Sequence, residues 1–131
     1  MTAIKTFNQS ANADTDREHQ VQLDLLERLC VALESGTDAS QSTALLTELI
    51  DYSEAHFMSE ELLMRMKSYD DYEDHQDDHV QMLEVLRGLA TQLNSGQTAQ
   101  ATGKARDMLG FISQHIATRD KRLADHVRLG L

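Results

Sequence analysis

Proline and tryptophan are both missing from this chain, and each absence narrows the choice of fold. Without proline no position has a fixed φ or a missing N–H to break a helix. Aromatic residues make up only 5% of the 131 residues, too few of the side chains that favour strands. Basic residues are scarce as well: 12 Lys and Arg against 22 Asp and Glu give a formal net charge of −10. A nucleic acid or an anionic membrane surface is a poor partner for such a chain, because both are held through Lys and Arg. A lone cysteine, Cys30, rules out an internal disulfide and suits a reducing cytoplasm. The first 20 residues hold no apolar segment of the signal-peptide kind. No run approaches the roughly 18 apolar residues of a membrane helix. The expectation is a soluble, cytoplasmic protein.

What is present points to helices. Hydrophobic residues reach 40%, enough for one core in a single domain spanning 1–131. Asp14-Thr15-Asp16 offers N-caps for a first helix that Ser35-Gly36 closes. Thr37-Asp38 opens a second helix through Met66. A turn over Ser68–Asp71 precedes a third, ended by Asn94-Ser95-Gly96, and a fourth runs from Thr98 to about Arg128. Apolar residues recur at three- and four-residue steps in each run, the mark of amphipathic helices packing on one another. Short connections favour antiparallel neighbours. The predicted fold is all-α: an up-down-up-down four-helix bundle over 14–128, with 1–13 as a short N-terminal arm.

Polar residues interrupt these stripes where a core is expected. His19 stands on the first helix, His56 and Glu60 on the second, His75 and His79 on the third, His115 and Asp120 on the fourth. Burying a carboxylate costs several kcal/mol unless it is paired or metal-bound. No Lys or Arg falls on the seams to pair with Glu60, so a cation from outside is the simpler partner. In an antiparallel bundle the seven positions converge near one end, roughly 8–18 Å from it at 1.5 Å per residue. The i,i+4 pairs His56/Glu60 and His75/His79 each project from one face. His115 and Asp120 are i,i+5, about 140° apart on an ideal helix, so they are expected to flank the seam. Five imidazoles and two carboxylates are too many for one ion. Divided over two they give mixed N/O coordination suited to iron, whereas structural zinc sites are closed and often Cys-bearing.

In these motifs the chain resembles the haemerythrins, and in particular their bacterial single-domain form. The family pattern is a lone His, then HxxxE, HxxxH and HxxxxD on successive helices. It is met by DREH ending at His19, HFMSE at 56–60, HQDDH at 75–79 and HIATRD at 115–120. The resemblance covers about residues 14–128. It implies a cofactor of two iron ions with a bridging oxo or hydroxo group. His75, His79 and His115 would hold one ion, His19 and His56 the other, with Glu60 and Asp120 shared. The second ion would keep an open position where O2 binds reversibly, with NO or small anions as other occupants. An oxygen carrier, store or scavenger is thereby implied, not a turnover enzyme. The alternatives are an O2, NO or redox sensor acting through a separate protein, or a di-iron peroxidase or NO-reducing enzyme. As a carrier it would serve an oxygen-consuming partner, as a sensor a signalling one.

The same resemblance implies an O2 pocket enclosed by Phe57, Phe111 and Ile116. It also marks two departures. Gln22 stands where the family carries a large apolar residue, and its amide is expected either to meet the bound ligand or to point to solvent. No Trp is available in the arm, where Phe7 is the candidate substitute. Other residues read as structural: His126 as a helix-end residue, Cys30 as core, the stretch MSEELLMRM as packing and lining, and the acidic run Asp70–Asp74 as the cap of the third helix.

Overall fold

Four helical rods pack side by side in a computed structural model that describes residues 2–36 and 38–130. In order they are α1 (Thr2–Glu34), α2 (Ala39–Met66), α3 (Tyr72–Asn94) and a fourth rod made of three pieces. That rod comprises α4 (Thr98–His115), a π-helical turn (Ile116–Asp120) and α5 (Lys121–Leu129). Each helix contacts its neighbours in the chain, and α1 also contacts α4 and α5, which closes the antiparallel bundle. Asp38 caps α2, its Oδ1 accepting from the Ser40 N–H at 3.2 Å; Thr37 lies outside the described residues. Gly36 and Gly96 end α1 and α3 at φ 68° and 78°, a left-handed conformation that glycine adopts without a Cβ clash.

Two expectations about boundaries change. The arm is helical over the described residues 2–13 and continues into α1, so the cap signals at Asp14-Thr15-Asp16 lie inside the helix. No Gly or Pro occurs before Gly36 to stop it. Tertiary contacts also hold it: Asn12 Nδ2 donates to the Ala124 carbonyl of α5 at 3.0 Å, and the Lys67 ammonium sits 5.3 Å over the Phe7 ring. The expected fourth helix is interrupted by the π turn. Asp71 at the start of α3 makes no side-chain cap bond. Its carboxylate instead takes Arg119 at 3.2 Å and Arg122 at 3.1 Å.

The interior falls into two apolar blocks. The larger gathers Leu26, Leu29, Cys30, Leu46, Leu49, Met82, Leu86, Leu89, Ala105 and Ile112. The smaller holds Leu63, Met64, Tyr69, Leu123 and Val127 near the other end. Each fully buried Leu or Met contributes roughly 1.5–3 kcal/mol. His126 belongs with the second block: its Nε2 donates to the Lys67 carbonyl at 3.1 Å, and its ring meets Tyr69 at 4.9 Å. The Met-rich stretch divides, with Met64 fully buried but Met58 70% and Met66 57% exposed. Met58 and Met66 are about two turns apart on the outward side, and Met66 lines a surface cleft with Phe7 and Leu62 instead of the predicted metal ligands. Between the two blocks lies a polar layer.

Candidate metal centre

All seven predicted ligand-type residues meet in that layer, and all are buried. Glu60, 1% exposed, lies at its middle. Its Oε2 is 2.9 Å from His19 Nε2 and 3.1 Å from His56 Nε2. Its Oε1 is 3.2 Å from His75 Nε2 and 3.0 Å from His79 Nε2. Asp120 divides likewise: Oδ2 is 2.9 Å from His19 Nε2, while Oδ1 is 2.9 Å from His75 Nε2 and 3.1 Å from His115 Nε2. The two carboxylates thus split five imidazoles into a group of three (His75, His79, His115) and a group of two (His19, His56).

The π turn makes the last contact. In a regular α-helix His115 and Asp120 diverge by about 140°. One π turn, with its i→i+5 bonding, brings them onto the same side. The expected flanking arrangement is replaced by a facing one.

Outer partners fix the rings. Glu18 on α1 bonds His56 Nδ1 on α2 at 2.8 Å; Glu61 on α2 bonds His79 Nδ1 on α3 at 2.9 Å; Asp78 on α3 bonds His115 Nδ1 on α4 at 3.0 Å. Each of α1, α2 and α3 therefore carries, beside its own inward ligand, a carboxylate that orients a histidine of the next helix. The bond places a proton on Nδ1 and turns the Nε2 lone pair inward, the tautomer a metal ligand needs. Sequence reasoning missed these three acids. Their only signal is adjacency to an inward residue, as in Glu18-His19, Glu60-Glu61 and Asp78-His79. Arg119 Nε also holds Asp78 at 2.7 Å. Replacing Asp78 with Ala is expected to weaken metal binding roughly 10–100-fold while leaving the bundle folded. Equilibrium metal titration checks this, and an unchanged affinity would show that His115 needs no orienting partner.

Without metal, the layer is a compressed set of ions. Burial pushes His19 down, but hydrogen bonds and charges from Asp120 and Glu60 outweigh it and raise the ring to about 10. His75 is raised to about 9 against the same burial penalty and by the same two carboxylates. Burial also opposes ionisation of Glu60, yet the imidazoles of His19, His56, His75 and His79 close around it hold it well below the ordinary carboxylate range. Asp120 is lowered too, against burial and the Glu60 charge, by His115, His19 and His75.

Protons do not complete the layer. His79 Nε2, His115 Nε2 and Asp120 Oδ1 are buried and lack a well-directed hydrogen bond, although imidazole and carboxylate atoms face one another there at 2.9–3.1 Å. The distance is short but the angles are wrong for a shared proton. Lone pairs aimed into a common space are what a cation accepts. Donor atoms of Glu60, His75, His79, His115 and Asp120 lie within 4.8 Å of one another, as do those of His19, His56 and Glu60. The donor set fits metal ions, with more ligands on the three-histidine side.

The surrounding residues divide. Phe57 is buried, its ring stacked on His79 at 4.0 Å. Ile116 is half-buried and lines a cleft of about 260 Å³ that reaches His19 and Asp120. Phe111 is 40% exposed and does not enclose the centre. It sits on the flank of α4, and fully buried Ile112 occupies the inward position instead. Gln22 does not point to solvent. It is 1% exposed and donates from Nε2 to Ser53 Oγ at 2.9 Å, three residues beyond His19 and three before His56.

Comparison with known proteins agrees with this geometry. The Bacteriohemerythrin of Methylococcus capsulatus (strain Bath) is 28% identical over 106 residues, covering 81% of this chain and 80% of that protein. No solved structure gives a significant match. The hemerythrin HHE cation binding domain matches residues 10–127. That span includes every inward histidine and carboxylate of the layer, and the chain belongs to the hemerythrin family.

Proposed function

We propose that the chain binds O2 reversibly at a pair of iron ions held in this layer, as an oxygen carrier, store or scavenger. The observation that carries the reading is the division of Glu60 and Asp120. Each directs one oxygen toward the three-histidine group and the other toward the two-histidine group. His75, His79 and His115 would hold one ion and His19 and His56 the other, with both carboxylates and an oxo or hydroxo group shared. A ferrous pair supplies the electrons that O2 takes up on binding and returns on release.

The protein's own residues then do three things. The outer acids Glu18, Glu61 and Asp78 keep the Nε2 lone pairs aligned. The two-histidine group, one donor poorer, leaves room for O2, NO or a small anion, and it lies beside the cleft at His19 and Asp120. Phe57 packs against the rings of His56 and His79, and Leu63 and Ile116 give that cleft its apolar lining. No helix among the described residues is long and apolar enough to cross a membrane. Iron content and oxygen uptake measured on the same sample test the reading. Two irons and one O2 taken up and released per chain are expected. Steady consumption of O2 or peroxide with a reductant would replace the carrier with an enzyme.

The Gln22–Ser53 pair gives a further expected result. It keeps polar groups buried about 4.5 Å along the helix axis from the ligand layer. Gln22→Leu alone strands the Ser53 hydroxyl, at a cost of roughly 1–3 kcal/mol. Adding Ser53→Ala should recover most of that stability. With both polar groups gone, autoxidation of the oxygenated protein should slow severalfold, because water has lost its partners near the centre. Equal autoxidation rates would remove this role for the pair.

A further inference from the structure

The outer acids close three junctions of the bundle, α1–α2, α2–α3 and α3–α4. The fourth, between α1 and the π turn with α5, stays open: among the described residues no outer carboxylate bonds His19. At that junction the cleft of about 260 Å³ reaches His19 and Asp120. A second cleft of about 360 Å³ extends it along α1, sharing Asn12 and Asp16 and reaching Asn8.

A seam between two helices is normally apolar. On α1 this one presents Asn8, Asn12 and Asp16, at steps that lead to His19, each roughly 4.5–6 Å along the axis from the next. Among the described residues their oxygens are unclaimed. Asn8 is 4% exposed and its Oδ1 has no hydrogen-bond partner. Asn12 spends its amide nitrogen on the Ala124 carbonyl, which leaves its oxygen free. No donor among the described residues reaches the Asp16 carboxylate. Of the nearby cations, Lys121 and Arg128 are both tied to Asp125, at 2.9 and 3.4 Å, and Lys5 stands at the outer rim.

Free oxygens in sequence are what a hard, partly hydrated divalent cation exchanges for its water. Apolar O2 has no use for them. The buried Asn8 oxygen costs stability that an apolar residue would not, and the net charge of −10 draws divalent cations to the surface. We propose that this seam is the route by which ferrous ions enter and leave the centre, passing from Asn8 to Asn12 and Asp16 and so to His19.

The inference rests on the metal-centre reading, and its test separates the two. The rate at which excess ferrozine strips iron from the reduced, iron-loaded protein is measured for wild type, Asp16→Asn, and the pair Asn8→Leu with Asn12→Leu. Gln20→Leu, on the exposed side of α1, serves as control. Release is expected to slow about tenfold in the double variant, as losing oxygen ligands raises the barrier. Asp16→Asn, a surface change that leaves packing alone, should slow it severalfold. Iron content, spectrum and the control rate should stay unchanged. Unchanged release from the seam variants, or equal slowing in the control, overturns the route while leaving the centre intact. A wild-type protein that holds no iron overturns both.

Discussion

Replacing Glu60 with Gln is expected to abolish metal binding in the layer and to destabilise the metal-free bundle by roughly 3 kcal/mol or more near neutral pH. One side chain has so large an effect because four of the five inward imidazoles face its two oxygens, at 2.9–3.2 Å. In the proposed metal-loaded protein the carboxylate would be a shared ligand, so neutralising it would weaken both halves at once. In the metal-free protein it is the counter-charge that holds buried imidazolium rings, and its loss leaves them unpaired at 0–4% exposure. Elemental analysis and chemical denaturation read the two effects separately. A Glu60→Gln protein that keeps a full complement of iron would contradict a shared carboxylate.

Metal removal is the second large effect, and its size depends on pH. A ligand that binds only the folded state adds about 4 kcal/mol at a thousandfold excess over its Kd, a rise in Tm on the order of 10 °C for a chain of this size. The metal-free form has its own pH profile. His19 and His75 stand at about 10 and about 9 in the fold, against about 6.5 in the unfolded chain. Between those values the folded state binds more protons, so stability falls as pH rises. Their contribution is complete below about pH 6.5 and is lost as pH climbs through about 9 and then about 10. The lowered Glu60 and Asp120 act in the other direction, present above roughly pH 4 and lost in strong acid.

Iron-loaded protein should lack the alkaline loss, because the lone pairs are then held by metal instead of protons. Loading at pH 7 should release at least the protons of His19 and His75. Thermal unfolding of both forms from pH 5 to 10, with proton release followed by pH-stat, checks this. Parallel profiles for the two forms would mean that metal and protons do not share these histidines.

Much of the ligand layer is legible in the amino-acid sequence alone. A histidine or carboxylate on an apolar stripe needs a partner, and no basic residue on the seams serves Glu60; that alone marks the layer. Helix periodicity sets which side chains face inward for three of the four rods. What stays hidden depends on a single inserted turn or on the far side of a ring. The spacing of His115 and Asp120 is the same whether the backbone is α or π, and only packing of α5 decides it. Glu18, Glu61 and Asp78 look like solvated acids because their role lies across a helix junction. The continuation of α1 to Thr2 is obscured by good capping residues at 14–16, which docking on α5 overrides. Phe111 and Gln22 change places for a simpler reason. A rotation of one residue on a helix is 100°, enough to turn an expected pocket residue outward.

Reversible oxygen binding is tested most directly by the optical spectrum of iron-loaded, anaerobically reduced protein, recorded before O2, after O2 and after O2 is stripped away. A colourless form that gains a ligand-to-iron charge-transfer band and loses it on deoxygenation, over repeated cycles, is the expected result. Immediate and irreversible conversion to an oxidised spectrum would contradict the carrier, leaving a di-iron centre whose chemistry is redox sensing or peroxide reduction.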